Sequence, residues 1–129
     1  MLKFTLIIGL GSGLGGMARY WVSTALARWL GEWLPWGTIA VNVSGSFLIG
    51  LIAALESADG RSLLSPGIRL FFLIGLLGGF TTFSAFSLQT LTLLQHEQYG
   101  RALANATGSV LLCVFAAWAG HVAGGAFNR

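Results

Sequence analysis

The side chains able to do chemistry in this 129-residue chain are small, polar and uncharged, and they sit inside apolar sequence. Asn42, Ser44 and Ser46 form one group; Thr81, Thr82, Ser84, Ser87, Gln89 and Thr90 a second; Asn105, Thr107 and Ser109 a third. The apolar stretches that hold them contain no Asp, Glu, Lys or Arg, and Arg19 is the one cation inside an apolar run. Neutral hydrogen-bond donors without a carboxylate suit an anion better than a proton or a metal cation. In lipid, polar side chains at depth are costly and mark either a pathway or a helix contact. Both uses stay open at this point.

Spacing narrows the field. Asn105, Ser109 and Cys113 recur at every fourth residue and so share one helix face, as a polar rail or as a packing seam. Phe83 and Phe86, three apart, also share a face, and aromatic rings carry a positive edge that a small anion can meet. Both lie in the densest string of the chain, from Gly75 to Ser87. Gly78 and Gly79 weaken a helix, and the β-branched Thr81 and Thr82 do not restore it, so the string predicts an interruption, with Thr82 or Ser84 capping the second half-helix. Broken helices in lipid survive only where protein or a water-filled cavity covers the freed backbone, and their ends become ion sites. The competing reading is an unbroken helix with Gly75 and Gly79 as a packing face. Gly11, Gly13 and Gly16 spell a formal G-x-G-x-x-G, but no strand and helix alternation comes after them and Glu32 is too early for a ribose ligand. Close helix contact explains those glycines better.

The elements that carry these residues follow from composition. With 55% hydrophobic and 9% charged residues and a mean hydropathy of +0.78, the chain cannot solvate a globular surface, and it is too apolar for disorder. Its seven Lys and Arg are spread along the sequence, so the net charge of +3 is not a nucleic-acid footprint. Cys113 is the one cysteine, which permits no intrachain disulfide and, with only His96 and His121 beside it, no zinc ligand set. A helix crosses a bilayer with about 20 apolar residues. Residues 36–55, 70–94 and 102–126 are free of charge, and 4–27 is interrupted only by Arg19.

The expectation is an all-α membrane protein, a single domain over 1–129 with four transmembrane helices at roughly 4–27, 36–55, 68–94 and 101–126, the third broken at mid-membrane. Gly31 to Pro35 makes a short turn; Asp59, Gly60 and Arg61 belong to a polar loop; Gln95 to Arg101 closes the third connection. Lys3 and Ala25-Leu26-Ala27 have the form of a secretory leader, but Arg19 lies too deep in that segment, so it is expected to stay. Lys3, Arg61, Arg69 and Arg129 fall on one side and Arg28 and Arg101 on the other, a bias weak enough to allow insertion both ways up.

The string from Gly75 to Ser87, Trp36-Gly37-Thr38 with Val41-Asn42 and Gly45, and Gly15-Gly16-Met17-Ala18-Arg19 together resemble the Fluc (CrcB) fluoride channels of bacteria. The match runs over nearly the whole chain in the same order. The resemblance implies an antiparallel, dual-topology homodimer in the bacterial inner membrane, with two pores that let fluoride leave the cytoplasm down its gradient. It implies a pore formed by Asn42, Phe83, Phe86, Asn105, Ser109 and, less directly, Cys113, with Arg19 near its vestibule; Ser84, like Asn42 and Ser109, offers such a pore an uncharged donor. It also implies a structural sodium ion at the dimer centre, held by the backbone carbonyls of Gly78 and Thr81. Two departures stand out: Gln89 replaces a carboxylate found in many members, and Asn105 stands where some have tyrosine. The rivals are a proton-coupled small multidrug exporter, which needs a carboxylate within a helix, and a membrane scaffold whose polar residues only join helices. No Ser-His-Asp, His-Glu or Cys-His grouping supports an enzyme.

Overall fold

The computed structural model describes residues 1–57 and 64–127; Asp59, Gly60, Arg61 and Arg129 lie outside them. Among the described residues every regular element is helical. Helix α1 spans Leu2–Leu30 and α2 spans Trp36–Ser57. A continuous helical rod then runs through α3 (Pro66–Arg69), a π-helical stretch (Leu70–Leu77) and α4 (Gly78–Phe80). Two extended residues separate it from α5 (Phe83–Gln95), and α6 covers Tyr99–Phe127. Apart from Thr81 and Thr82, the helices contain the charge-free stretches and overrun them by a few residues.

The ends obey local chemistry. Gly31 stops α1 with φ 74°, a conformation that costs glycine little, and its N–H still reaches the carbonyl of Ala27 at 3.1 Å. Pro66 opens α3 at a position where its missing N–H costs nothing. Between α5 and α6 the turn is held by Glu97 at φ 58°, a left-handed conformation without glycine.

Three segments are long and apolar enough to cross a membrane: Trp36–Leu55, Pro66–Gln95 and Tyr99–Phe127. Helix α1 has the length, 29 residues, but its five glycines and Arg19 lower its apolarity below the other three. Those glycines have a structural use. Gly75 lies 3.0 Å from the Cα of Gly11, measured from where its Cβ would stand, and a Cβ on Gly15 would overlap the Leu76 carbonyl. Helix α1 is therefore pressed backbone to backbone on the rod that leads to the interruption. Helix α6 packs on α2 in the same way, with Gly120 against the Phe47 carbonyl. Interruption and glycine packing coexist here, since Gly79 meets the backbone of Ser12 one residue before the helix ends. The G-x-G-x-x-G pattern lies on continuous helix, where Gly11 is in contact and Gly13 faces open space.

Few of the described side chains are buried. Val41 and Asn105 are the largest that are fully enclosed, while Leu6, Trp21, Leu111, Phe115 and many others are exposed. Such an apolar exterior belongs in hydrocarbon. Gly15→Val is expected to abolish the monodisperse protein seen by size exclusion in detergent, because backbone cannot yield to a branched side chain. Glu97→Gly is expected to raise thermal stability in detergent by about 1 kcal/mol, relieving the left-handed strain.

Candidate functional site

Helix α4 ends at Phe80, and Thr81 (φ −81°, ψ 157°) and Thr82 (φ −153°, ψ 113°) continue as extended backbone. Extended residues cannot satisfy their own peptide groups, so each needs a partner. Thr81 solves this locally: its N–H and its Oγ1 both donate to the Leu77 carbonyl, at 3.0 and 2.9 Å. Thr82 is served from α2. The Thr82 N–H donates to Asn42 Oδ1 at 2.7 Å, and Asn42 Nδ2 donates to the Thr82 carbonyl at 3.0 Å. A side-chain amide thus pairs with a backbone residue as a neighbouring strand would. Gly45, one turn along α2, makes room: a Cβ there would overlap the Thr81 methyl.

Of the two candidate caps, Thr82 is the one used. Its Oγ1 accepts the Ala85 N–H at 3.1 Å, and Ser84 Oγ lies 3.2 Å from the same oxygen. These bonds redirect two amides. The Thr82 N–H goes to Asn42 instead of the Gly78 carbonyl, and the Ala85 N–H goes to Thr82 Oγ1 instead of the Thr81 carbonyl. Gly78 and Thr81 therefore carry carbonyls released from their helical donors, at the negative end of α4. Neutral oxygens of this kind fit a hard, singly charged cation, so the residues present suit the sodium ion implied by the resemblance.

A groove of about 390 Å³ opens beside the interruption. Asn42, Thr82, Phe83, Phe86, Ser109 and Cys113 line it, and so do Gly78 and Thr81. All of its lining residues are uncharged. The rings of Phe83 and Phe86 stand 5.2 Å apart and tilted at 47°, with Phe83 75% exposed.

Three of the sequence candidates lie elsewhere. Arg19 is half-buried on α1, outside the groove lining; Ser84 is exposed and joins the site only through Thr82. Asn105 is fully buried, 0% exposed, in the seam between α5 and α6. There Ser109 Oγ donates to Asn105 Oδ1 at 3.3 Å, Asn105 Nδ2 donates to Thr90 Oγ1 at 2.9 Å, and Thr90 donates to the Phe86 carbonyl at 2.8 Å. Of the fourfold rail, Ser109 and Cys113 reach the groove and Asn105 does not. Thr90 and Gly45, named in the sequence without a role, are structural partners of the site. Their spacing from Phe86 and Asn42, four and three residues, was the available signal.

The sequence model described as CrcB-like protein, Camphor Resistance (CrcB), matches residues 6–121. The chain belongs to the CrcB family. Among its relatives, a protein of Methylocella silvestris named fluoride-specific ion channel FluC is 51% identical over 122 residues, covering 95% of this chain and 93% of its own length. A protein of the same name from Paramagnetospirillum magneticum is 49% identical over 129 residues and all of both chains. That of Opitutus terrae is 50% identical over 127 residues, 98% of this chain and 96% of its own. The groove and the interruption both fall inside the part of the chain that matches the CrcB family.

Asn42→Leu removes both bonds to Thr82 and leaves a buried N–H and C=O unpaired. We expect a loss of about 2–4 kcal/mol in thermal unfolding in detergent, at roughly 1–3 kcal/mol for each orphaned group. Asn42→Asp keeps the acceptor for the Thr82 N–H, so its loss should be intermediate.

Proposed function

We propose that this chain is a fluoride-selective ion channel which lets fluoride leave the cytoplasm down its electrochemical gradient. The observation that carries the reading is the uncharged groove around the interrupted helix, in a chain whose relatives at about half identity are named fluoride-specific ion channels. Four membrane-spanning helices, α1 included, place the interruption at mid-membrane in this proposal. Two copies assemble antiparallel in the bacterial inner membrane, as the weak charge bias allows.

The chemistry follows from fluoride itself, a small anion that gives up its hydration only to many donors. Asn42 Nδ2 has two hydrogens, of which one holds Thr82 and the other is left for an ion. The Thr82 and Ser84 hydroxyls share one contact and can exchange donor and acceptor roles, so one O–H remains to be turned outward. Phe83 and Phe86 add positive ring edges without a fixed cation. Ser109 lies on the path; Arg19 serves the vestibule, and Asn105 supports the track from behind. A sodium ion bound by the Gly78 and Thr81 carbonyls would supply positive potential at mid-membrane, lowering the cost of an anion there. An interior-negative potential favours exit of one negative charge by about 2.3 kcal/mol per 100 mV, so no other energy source is required. Proton-coupled drug export is disfavoured, because Glu32, Glu56, Asp59 and Glu97 all lie outside the charge-free stretches.

Purified protein in liposomes, read with a fluoride electrode, tests this. Fast fluoride release, chloride release slower by orders of magnitude and indifference to a pH gradient are expected. Phe83→Ile and Asn42→Asp should each slow release at least about tenfold, as small misplacements in a selective site do. Equal passage of both halides, or full rates in both variants, would defeat the assignment. Replacing sodium by choline throughout purification should lower thermal stability; an unchanged melting curve would remove sodium from the proposal.

A further inference from the structure

Among the described residues, α5 is the one long helix along which no residue is fully buried, yet it carries both phenylalanine rings. Helices α1, α2 and α6 all bury side chains or glycines that fix their rotation. Packing on α5 is only partial, with Ala85, Phe86, Gln89, Thr90 and Leu93 half-buried. Hydrogen bonds add to it at two levels. At the first, Asn42 holds Thr82 at the cap. The second lies two turns on, where the Asn105 amide of α6 holds Thr90, whose hydroxyl bonds the Phe86 carbonyl. Thr82, Phe86 and Thr90 are spaced by four residues and form one stripe of α5. Two tethers along one stripe determine an azimuth; a single one leaves a pivot.

We propose that Thr90 and Asn105 are positioning residues which, as the second tether, set the rotation of α5 and so aim the Phe83 and Phe86 rings. Asn105 acts through Thr90 and does not touch the ion. Its complete burial and the direction of its bonds carry this: Nδ2 is directed at Thr90, and Oδ1 receives Ser109. The consequence for transport rests on the fluoride-channel reading; the consequence for the ring does not.

Two readouts separate them. The first is the ratio of fluoride to chloride release in liposomes for Thr90→Val and Thr90→Ser. Valine keeps the shape and loses the hydroxyl; serine keeps the hydroxyl. The ratio should fall about tenfold in Thr90→Val and stay within about twofold of the parent in Thr90→Ser. The second is the 19F NMR line of 4-fluorophenylalanine placed at position 86, recorded in fluoride-free detergent. Thr90→Val should move or broaden that line, and Thr90→Ser should return it to the parent position. If the parent passes no fluoride, the channel reading fails while the NMR comparison still decides the tether. An unmoved line together with an unchanged ratio in Thr90→Val overturns the proposal. Should Thr90→Val not assemble, Asn105→Leu cuts the same tether from the other side. Failure of both to assemble would make the tether a folding requirement and overturn the positioning role.

Discussion

Everything about this molecule turns on how one extended residue is kept paired inside a helical membrane protein. Hydrocarbon offers a peptide group no partner, and each group left unpaired costs several kcal/mol. Thr82 escapes that cost because Asn42 offers it one acceptor and one donor in the arrangement of a neighbouring peptide. An Asp at position 42 lacks the donor half, and a Leu lacks both. The interruption is thus built between two helices, and neither contains it alone.

From that pairing the rest of the site is determined. Once Thr82 is extended, its hydroxyl is placed to cap α5, and the diverted amides of Thr82 and Ala85 release the carbonyls of Gly78 and Thr81. The interruption therefore presents hydrogen-bond donors at the start of α5 and bare acceptors at the end of α4, a few residues apart. Helix α1 braces the acceptor side, because Gly15 and Gly79 let it lie backbone to backbone on the rod. Helix α2 braces the donor side through Asn42 and makes room at Gly45. The glycines of α1 serve this contact and at the same time make it the least apolar of the long helices.

The limits of sequence reading track the range of the interactions. Runs without charge mark helices because ionic side chains are excluded from lipid one residue at a time, so 36–55 and 102–126 fall in helix, as does 70–94 apart from Thr81 and Thr82. The interruption was legible from Gly78-Gly79-Phe80-Thr81-Thr82, since propensity is local. Its cap was legible only as a choice, because Thr82 and Ser84 have the same chemistry and the backbone at position 82 decides between them. What Asn42 does with its amide was hidden, as its partner lies forty residues away. Asn105 shows the same limit: a four-residue rail says which side chains share a face but not what that face meets. Here α5 covers the first of the three and leaves Ser109 and Cys113 to the groove. The π-helical stretch gave no signal, because Leu70 to Leu77 reads as ordinary apolar helix.

In the proposed channel, the disposition of hydrogens would let a neutral groove select without trapping. Ser109 has a single hydroxyl hydrogen, and in this structure it points to Asn105 over 3.3 Å, a long and weak bond. Asn42 has already given one of its two amide hydrogens to Thr82, and the Thr82 and Ser84 oxygens share theirs. In the proposed channel an arriving anion would meet the free amide hydrogen of Asn42 and hydroxyls whose present bonds it could draw away at a cost of about 0.5–1.5 kcal/mol each. When the anion moves on, those bonds re-form. A lysine or arginine in the same place would have no such alternative partner, and its full charge would deepen the well. On that proposal the partial self-satisfaction of these polar groups would keep the site shallow, and a shallow, multi-donor site is what conduction requires.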